Sequence, residues 1–240
     1  MTPEPIPVRS SSTAPQRAGD PAIECRNCGA GAPVDEHFCP QCSRILALGR
    51  HGDYFAFFGL PRRLKVNTAD LERRFRDLSR QFHPDYFYNA PPAERLASLE
   101  RSSYLNDAYR VLRNPVARVE YLLGLEGLAP TRSDEGRSAK VPPSLLEEVF
   151  ALNEELDEIR ELRESGVDPS ALRARLAAAR KPIERRRDEH ERQLQDLSTE
   201  WDERQQRVTL EALRERMLER NYINNLLATI DREAGAIRDS

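Results

Sequence analysis

The chain has 240 residues and 39% apolar content, enough for one or two domains with modest cores. A 32% charged fraction with only 7% aromatics points to long solvated helices over a bulky globular enzyme. A net charge of −3, with Lys65, Lys140 and Lys181 as the only lysines, argues against a general polyanion binder, and no apolar run approaches the roughly eighteen residues of a membrane span, so a soluble intracellular protein is expected.

Residues 1–22 are dense in Pro, Ser and Thr and read as a disordered leader. With Glu4 and Asp20 they make a poor amphipathic transit peptide. Residues 23–46 then hold all four cysteines, in Cys25-Arg26-Asn27-Cys28-Gly29 and Cys39-Pro40-Gln41-Cys42, with ten residues between the pairs. Two CxxC knuckles let four thiolates converge tetrahedrally on one structural Zn²⁺, and Gly29 lets the backbone turn around it. Disulfides or a redox pair are the rival readings, which an intracellular compartment disfavours. His37 reads as a surface histidine, since four thiolates complete the site without it.

Residues 51–125 form the next segment. Asp53 to Pro61 is a short aromatic helix closed by Gly59 and Pro61. Asn67 or Thr68 can cap a helix whose Leu71, Phe75, Leu78 and Phe82 share one apolar face. Arg73, Arg76 and Arg80 lie on the opposite face, within about 60° of one another. They are a solvated face or a positive docking strip leading into His83-Pro84-Asp85. Pro84 ends that helix and pushes His83 out of the α region, so the triplet stands on a turn. A long helix with Leu96, Leu99, Leu105, Tyr109 and Leu112 should return antiparallel, and Pro115 opens another through Leu123.

Asp53-Tyr54-Phe55, the basic helix, His83-Pro84-Asp85 and Asn106-Asp107-Ala108-Tyr109 together resemble a J domain. The resemblance implies that His83, Pro84, Asp85, Arg73, Arg76 and Arg80 bind a DnaK-class chaperone ATPase and stimulate its ATP hydrolysis. Many J domains continue the triplet with lysine, where this chain has Tyr86-Phe87-Tyr88. Read as an acid–base dyad, His83 and Asp85 lack a nucleophile, a pocket and convergent polar groups, so no enzyme is expected.

Residues 126–142 read as a linker and 143–235 as a three-helix bundle. Leu145, Val149, Leu152, Leu156 and Ile159 form one seam. Leu146 and Phe150 lie about 100–140° away and start a row continued by Glu154 and Glu158. That row is a contact with the third helix or a binding face for a basic, partly apolar partner. Asp168-Pro169 starts the second helix, with Leu172, Leu176, Ala179, Ile183, Leu194 and Leu197. Its run Arg185-Arg186-Arg187 reads as a solvated face. Ser198 or Thr199 can cap a last helix carrying Trp201, Val208, Leu210, Leu213, Met217, Tyr222, Ile223, Leu226, Leu227 and Ile230.

The aromatic continuation of the triplet, Arg118-Val119-Glu120-Tyr121-Leu122-Leu123 and Leu152-Asn153-Glu154-Glu155-Leu156-Asp157-Glu158 resemble the HscB-type co-chaperones of iron–sulfur cluster assembly, some of which carry a paired CxxC module before the J domain. This implies an all-α protein, with a J-domain hairpin and a C-terminal three-helix bundle behind a small zinc module held by Cys25, Cys28, Cys39 and Cys42. It implies an HscA-like chaperone ATPase on the J domain and an IscU-like scaffold on Leu146, Phe150, Glu154, Glu158 and Tyr222. Glu147 and Ala151 depart from the residues common at their places. A monomer or weak homo-oligomer without nucleic acid or membrane is expected, cytoplasmic in a bacterium and in the mitochondrial matrix in a eukaryote. The alternatives are a general J protein with unfolded clients, a zinc-ribbon nucleic-acid protein using Arg185-Arg186-Arg187, and a thiol oxidoreductase.

Overall fold

A computed structural model describes residues 22–49, 53–129 and 142–238. The expected leader, apart from Ala22, and positions 130–141 of the expected linker lie outside them. The chain divides into two compact units, Met1–Pro61 with Glu72–Tyr109, and Arg62–Leu71 with Arg110–Ser240. Seven α-helices and one two-stranded sheet are present among the described residues, and the fold is all-α.

In the first unit, β1 (Ala22–Glu24) pairs antiparallel with β2 (Gly31–Pro33), Ile23 opposite Ala32, and frames the first cysteine pair. Helix α1 (Tyr54–Phe57) starts where the Asp53 carboxylate accepts the Ala56 N–H at 2.9 Å. It stops at Gly59, whose φ of +61° is costly for a side-chain-bearing residue. Of the two candidate caps for α2 (Thr68–Gln81), Asn67 serves, accepting from Ala69 and Asp70. Helix α3 (Pro92–Arg113) runs antiparallel to α2: Phe75 stacks on Tyr109 at 4.2 Å, while at the other end the Phe82 carbonyl accepts Ser98 Oγ at 2.7 Å and Ser102 Oγ at 3.0 Å.

The inner face of α3 differs from the expectation near its start. Leu96 and Leu99 are exposed, and Ala97, Ser98 and Arg101 are buried instead. The reason is that this stretch faces both α2 and the cysteine module, so its buried side is set by small and hydrogen-bonding residues.

The second unit is built on a long hairpin of α6 (Pro169–Arg204) and α7 (Arg207–Arg238), each on the order of 50 Å long at 1.5 Å per residue. Helix α5 (Leu146–Glu164) covers one half of it. Leu145, Val149, Leu152, Leu156 and Ile159 are all buried against Leu172, Leu176, Ile183, Ile223, Leu227 and Ile230, as the seam predicts. Burial stabilises each such side chain by roughly 1.5–3 kcal/mol. Polar contacts fix the directions: the Glu155–Arg175 and Glu148–Arg186 ion pairs set α5 antiparallel to α6, and the Arg160–Glu233 ion pair with the Ser144–Glu219 hydrogen bond sets it parallel to α7. Gly166, at φ +77°, turns the chain between α5 and α6.

The other half of the hairpin is covered by α4 (Pro115–Leu125), capped by Asn114, and by the segment at Leu64. Asp202 accepts the Leu64 and Lys65 N–H groups at 2.6 and 2.7 Å, and buried Arg118 donates to the carbonyls of Leu112 and Leu64.

Ser198 and Thr199 do not cap α7. They lie inside α6 and donate to the carbonyls of Leu194 and Gln195 one turn back, and Trp201 belongs to α6. Ser and Thr satisfy their hydroxyls this way within a helix as readily as at its start. The break comes at Gln205, left-handed at φ +49°. No helix among the described residues is long and apolar enough to cross a membrane.

Candidate functional site

Backbone geometry makes the His83 turn as expected: His83 has ψ +127°, outside the α region, and Pro84–Phe87 forms one 3₁₀ turn. The His83 Nδ1 accepts the Asp85 N–H at 3.3 Å and lies 3.6 Å from the Asp85 carboxylate, so the ring caps the turn that follows it. Both side chains stand in solvent, as do Tyr86 and Tyr88, at 68% and 77% exposure. Arg73, Arg76 and Arg80 are exposed on α2. Arg76 pairs with Glu72 at 3.4 Å and Arg80 with Asp77 at 2.5 Å, which tempers the strip. Exposed pairs of this kind are worth about 0–1 kcal/mol and exchange readily for a partner's carboxylates.

The four cysteines converge. Cys25 and Cys42 sulfurs are 3.6 Å apart, Cys28 and Cys39 3.7 Å, and all four fall within 4.8 Å of one another. A tetrahedral ion with bonds of about 2.3 Å places its thiolates roughly 3.8 Å apart, so the set fits a metal ion. The two knuckles are built alike. Gly29 and Ser43 donate to the carbonyls of Cys25 and Cys39, while Cys25 and Cys39 donate to those of Ala30 and Arg44. Gly29 and Ser43 both have positive φ, +73° and +56°. Backbone N–H from Arg44, then the Asn27 side chain, lower the Cys42 thiol to about 6. The Ala30 N–H favours the Cys28 thiolate, but desolvation and the three neighbouring sulfurs outweigh it and push Cys28 up to about 12. Four thiolates this close need a cation among them.

His37 is neither a ligand nor a surface residue. It lies between Arg101 and α1, its ring edge-on to Phe57 at 4.7 Å and to Phe82 at 4.9 Å. Arg101 Nη1 can only donate, so the 2.8 Å contact makes His37 Nδ1 an acceptor and leaves Nε2 to donate to the Phe57 carbonyl at 3.1 Å. Burial, then Arg101, lower the imidazole to about 3, so it is neutral. Arg101 itself is 1% exposed and also donates to Leu46, Glu36 and Ala47 carbonyls. Sequence reading missed this residue. The signal was present, since Arg101 falls on the i, i+4 row of Ala97 and Leu105, both buried.

On α5 the expected row divides from the seam. Phe150 is 70% exposed and Leu146 39%, so neither packs on the third helix. Glu154 and Glu158 are exposed below them, Glu158 paired with Arg175 at 2.5 Å. Tyr222 is half-buried and packs against the bundle core from α7. Glu147 and Ala151 line a neighbouring groove of about 700 Å³ between α5 and α6, floored by Leu152, Ala179 and Ile183. Pro182 borders it from within α6. Of the arginine run, Arg186 donates to the Ser144 carbonyl and Arg187 pairs with Asp188.

No family model matches the chain. Its structure is similar to that of the human co-chaperone protein HscB, with TM-score 0.64 and 27% identity over 88% of this chain and 98% of that one. It is also similar to the chaperone HscB from Vibrio cholerae, with TM-score 0.59 and 26% identity over 77% of this chain and 99% of that one.

Proposed function

We propose that this chain, which has the architecture of an HscB-type J-domain co-chaperone with an added tetracysteine module, is a non-enzymatic adaptor of iron–sulfur cluster assembly. In this reading His83, Pro84 and Asp85, with Arg73, Arg76 and Arg80, engage an HscA-like DnaK-class ATPase and stimulate it. Leu146, Phe150, Glu154, Glu158 and Tyr222 hold an IscU-like scaffold and deliver it. Cys25, Cys28, Cys39 and Cys42 would hold a structural Zn²⁺, which when bound supplies the cross-link that a module this small needs to stay folded.

The observation that carries the reading is a pair of unlike exposed surfaces in two compact units: a polar triplet on a proline-defined turn, and an apolar patch at Phe150 running into carboxylates. The first offers donors and acceptors without a reactive centre. The second offers about one aromatic anchor and two charges, the composition of a small interface hot spot.

His83→Gln is expected to abolish stimulation of the chaperone ATPase while scaffold affinity is kept, and Leu146→Ala with Phe150→Ala to do the reverse. Unchanged stimulation in the first variant would remove the docking-loop assignment. Preferential binding of denatured polypeptide over the scaffold would favour a general J protein.

A further inference from the structure

Phe82 is the residue through which the docking turn is fixed to the rest of the first unit. Its side chain is fully buried, and its carbonyl takes two hydroxyl donors from α3, at 2.7 and 3.0 Å. The next residue is His83. Phe82's ring is packed by the cysteine module, α1 and α3: His37 meets it edge-on at 4.9 Å, Phe38 lies at 6.1 Å and Phe57 at 5.9 Å, and the Arg101 guanidinium sits over it at 5.7 Å.

Arg101 reaches this place from α3 and is held entirely by the segment around the second cysteine pair. Its donors go to the carbonyls of Glu36, Leu46 and Ala47 and to His37, two residues before Cys39. Among the described residues no carboxylate forms an ion pair with it, and burial lowers its pKa to about 10. A buried cation held only by backbone carbonyls and one imidazole keeps its place only while those acceptors stay aligned. Their alignment comes from the knuckle: Leu46 N–H donates to the His37 carbonyl, Cys39 N–H to that of Arg44.

We propose that Arg101 is a positioning residue that couples the metal-held knuckle to the Phe82–His83 junction, so that presentation of the docking turn depends on metal occupancy. The proposal rests on the docking-loop reading of His83 for its functional consequence, and on geometry alone for the coupling. When the knuckle loosens, the acceptors around Arg101 disperse, the guanidinium seeks water, and the His37 and Arg101 contacts to Phe82 go with it.

The test is amide hydrogen exchange at Phe82 and Tyr86 in the full chain, with the ATPase readout beside it. Removing the metal with a chelator and replacing Arg101→Gln are each expected to speed exchange at both amides by about tenfold or more, as loss of a buried charged hydrogen bond does to a local opening equilibrium. Amides of α6 and α7 should keep their rates. Chaperone stimulation should need a several-fold higher concentration of the variant and reach the same maximum. Glu94→Gln, which breaks the ion pair with Arg44 at the module's rim without touching Phe82, should change neither readout. Unaltered exchange at Phe82 in the metal-free wild-type chain overturns the coupling even if Arg101→Gln fails to fold. If His83→Gln leaves stimulation intact, the docking-loop reading fails, and the exchange experiment still decides the coupling by itself.

Discussion

His190 and Glu219 stand 3.6 Å apart between α6 and α7, with the imidazole 3% exposed. Desolvation lowers the His190 pKa from its ordinary 6.5; the Glu219 carboxylate and the Arg216 backbone oppose the shift, while the charges of Arg216 and Arg220 add to it. The folded protein therefore keeps His190 neutral where the unfolded chain already takes a proton. Stability from this residue is intact above about pH 6.5 and falls as pH drops below it, by at most about 1.4 kcal/mol per unit. His190→Leu removes that dependence. Thermal unfolding at pH 7.5 and 5.5 should show the wild type losing more than the variant, and parallel losses would contradict the assignment.

Asp202 and Arg118 meet at one peptide group, the carboxylate on the Lys65 N–H and the guanidinium on the Leu64 carbonyl. Asp202→Ala leaves two N–H groups without their acceptor and should cost about 2–3 kcal/mol in denaturant unfolding. Because Arg118 shares the same segment, Asp202→Ala and Arg118→Met should be non-additive by at least about 0.5 kcal/mol. A cost indistinguishable from zero would mean that the segment is held by α4 packing alone.

Leu145, in the turn just before α5, and Phe150, within α5, should respond oppositely. Leu145 is 1% exposed and Phe150 70%. Truncating Leu145 to Ala should lower stability by about 2–5 kcal/mol, whereas Phe150→Ala should change it by less than about 0.5 kcal/mol. On the proposed function Phe150→Ala weakens scaffold binding by roughly thirtyfold, the mark of a hot-spot aromatic. Calorimetric titration with the scaffold and a melting curve of the same sample give both numbers.

Ser43 occupies a left-handed position that its knuckle twin fills with Gly29. A β-carbon there costs about 1 kcal/mol. Ser43→Gly should strengthen metal retention about two- to fivefold in competition with a chelator, and Gly29→Ala should weaken it. An identical chelator midpoint for both variants would show that the knuckle backbones do not limit metal binding.

Much of this arrangement was readable from residue order, and the parts that were not share a cause. The five-residue seam of α5, the proline turn at His83 and the paired CxxC motif are periodic or locally determined, so 3.6-residue spacing, a missing N–H and ligand count suffice. The angle of Phe150 to the seam leaves a third-helix contact and an exposed face both open, and the structure shows the exposed face. By contrast, Arg101, His37 and Asp202 act on backbone groups 20 to 138 positions away in sequence: His37 to Phe57 spans 20 positions, Arg101 to Leu46 55 and Leu64 to Asp202 138. A carbonyl leaves no trace in a sequence, so its partner looks like one more charged residue. The misplaced start of α7 has a different origin: Ser198 and Thr199 carry a side chain that serves a helix end and a helix interior alike, and the actual break is made by Gln205, a residue with no turn signature.

Arg101 also bears on how modular the molecule is. The cysteine segment looks like an accessory that could be trimmed from an otherwise self-sufficient helical protein. Yet trimming it near residue 50 would leave a guanidinium above Phe57 and Phe82 with all its acceptors removed. A shortened form would need a second edit, an apolar residue such as leucine at position 101, before the hairpin could close over its own aromatic cluster. The attachment is thus inscribed on both sides of the junction, and in this chain loss of the module calls for a matched change on α3.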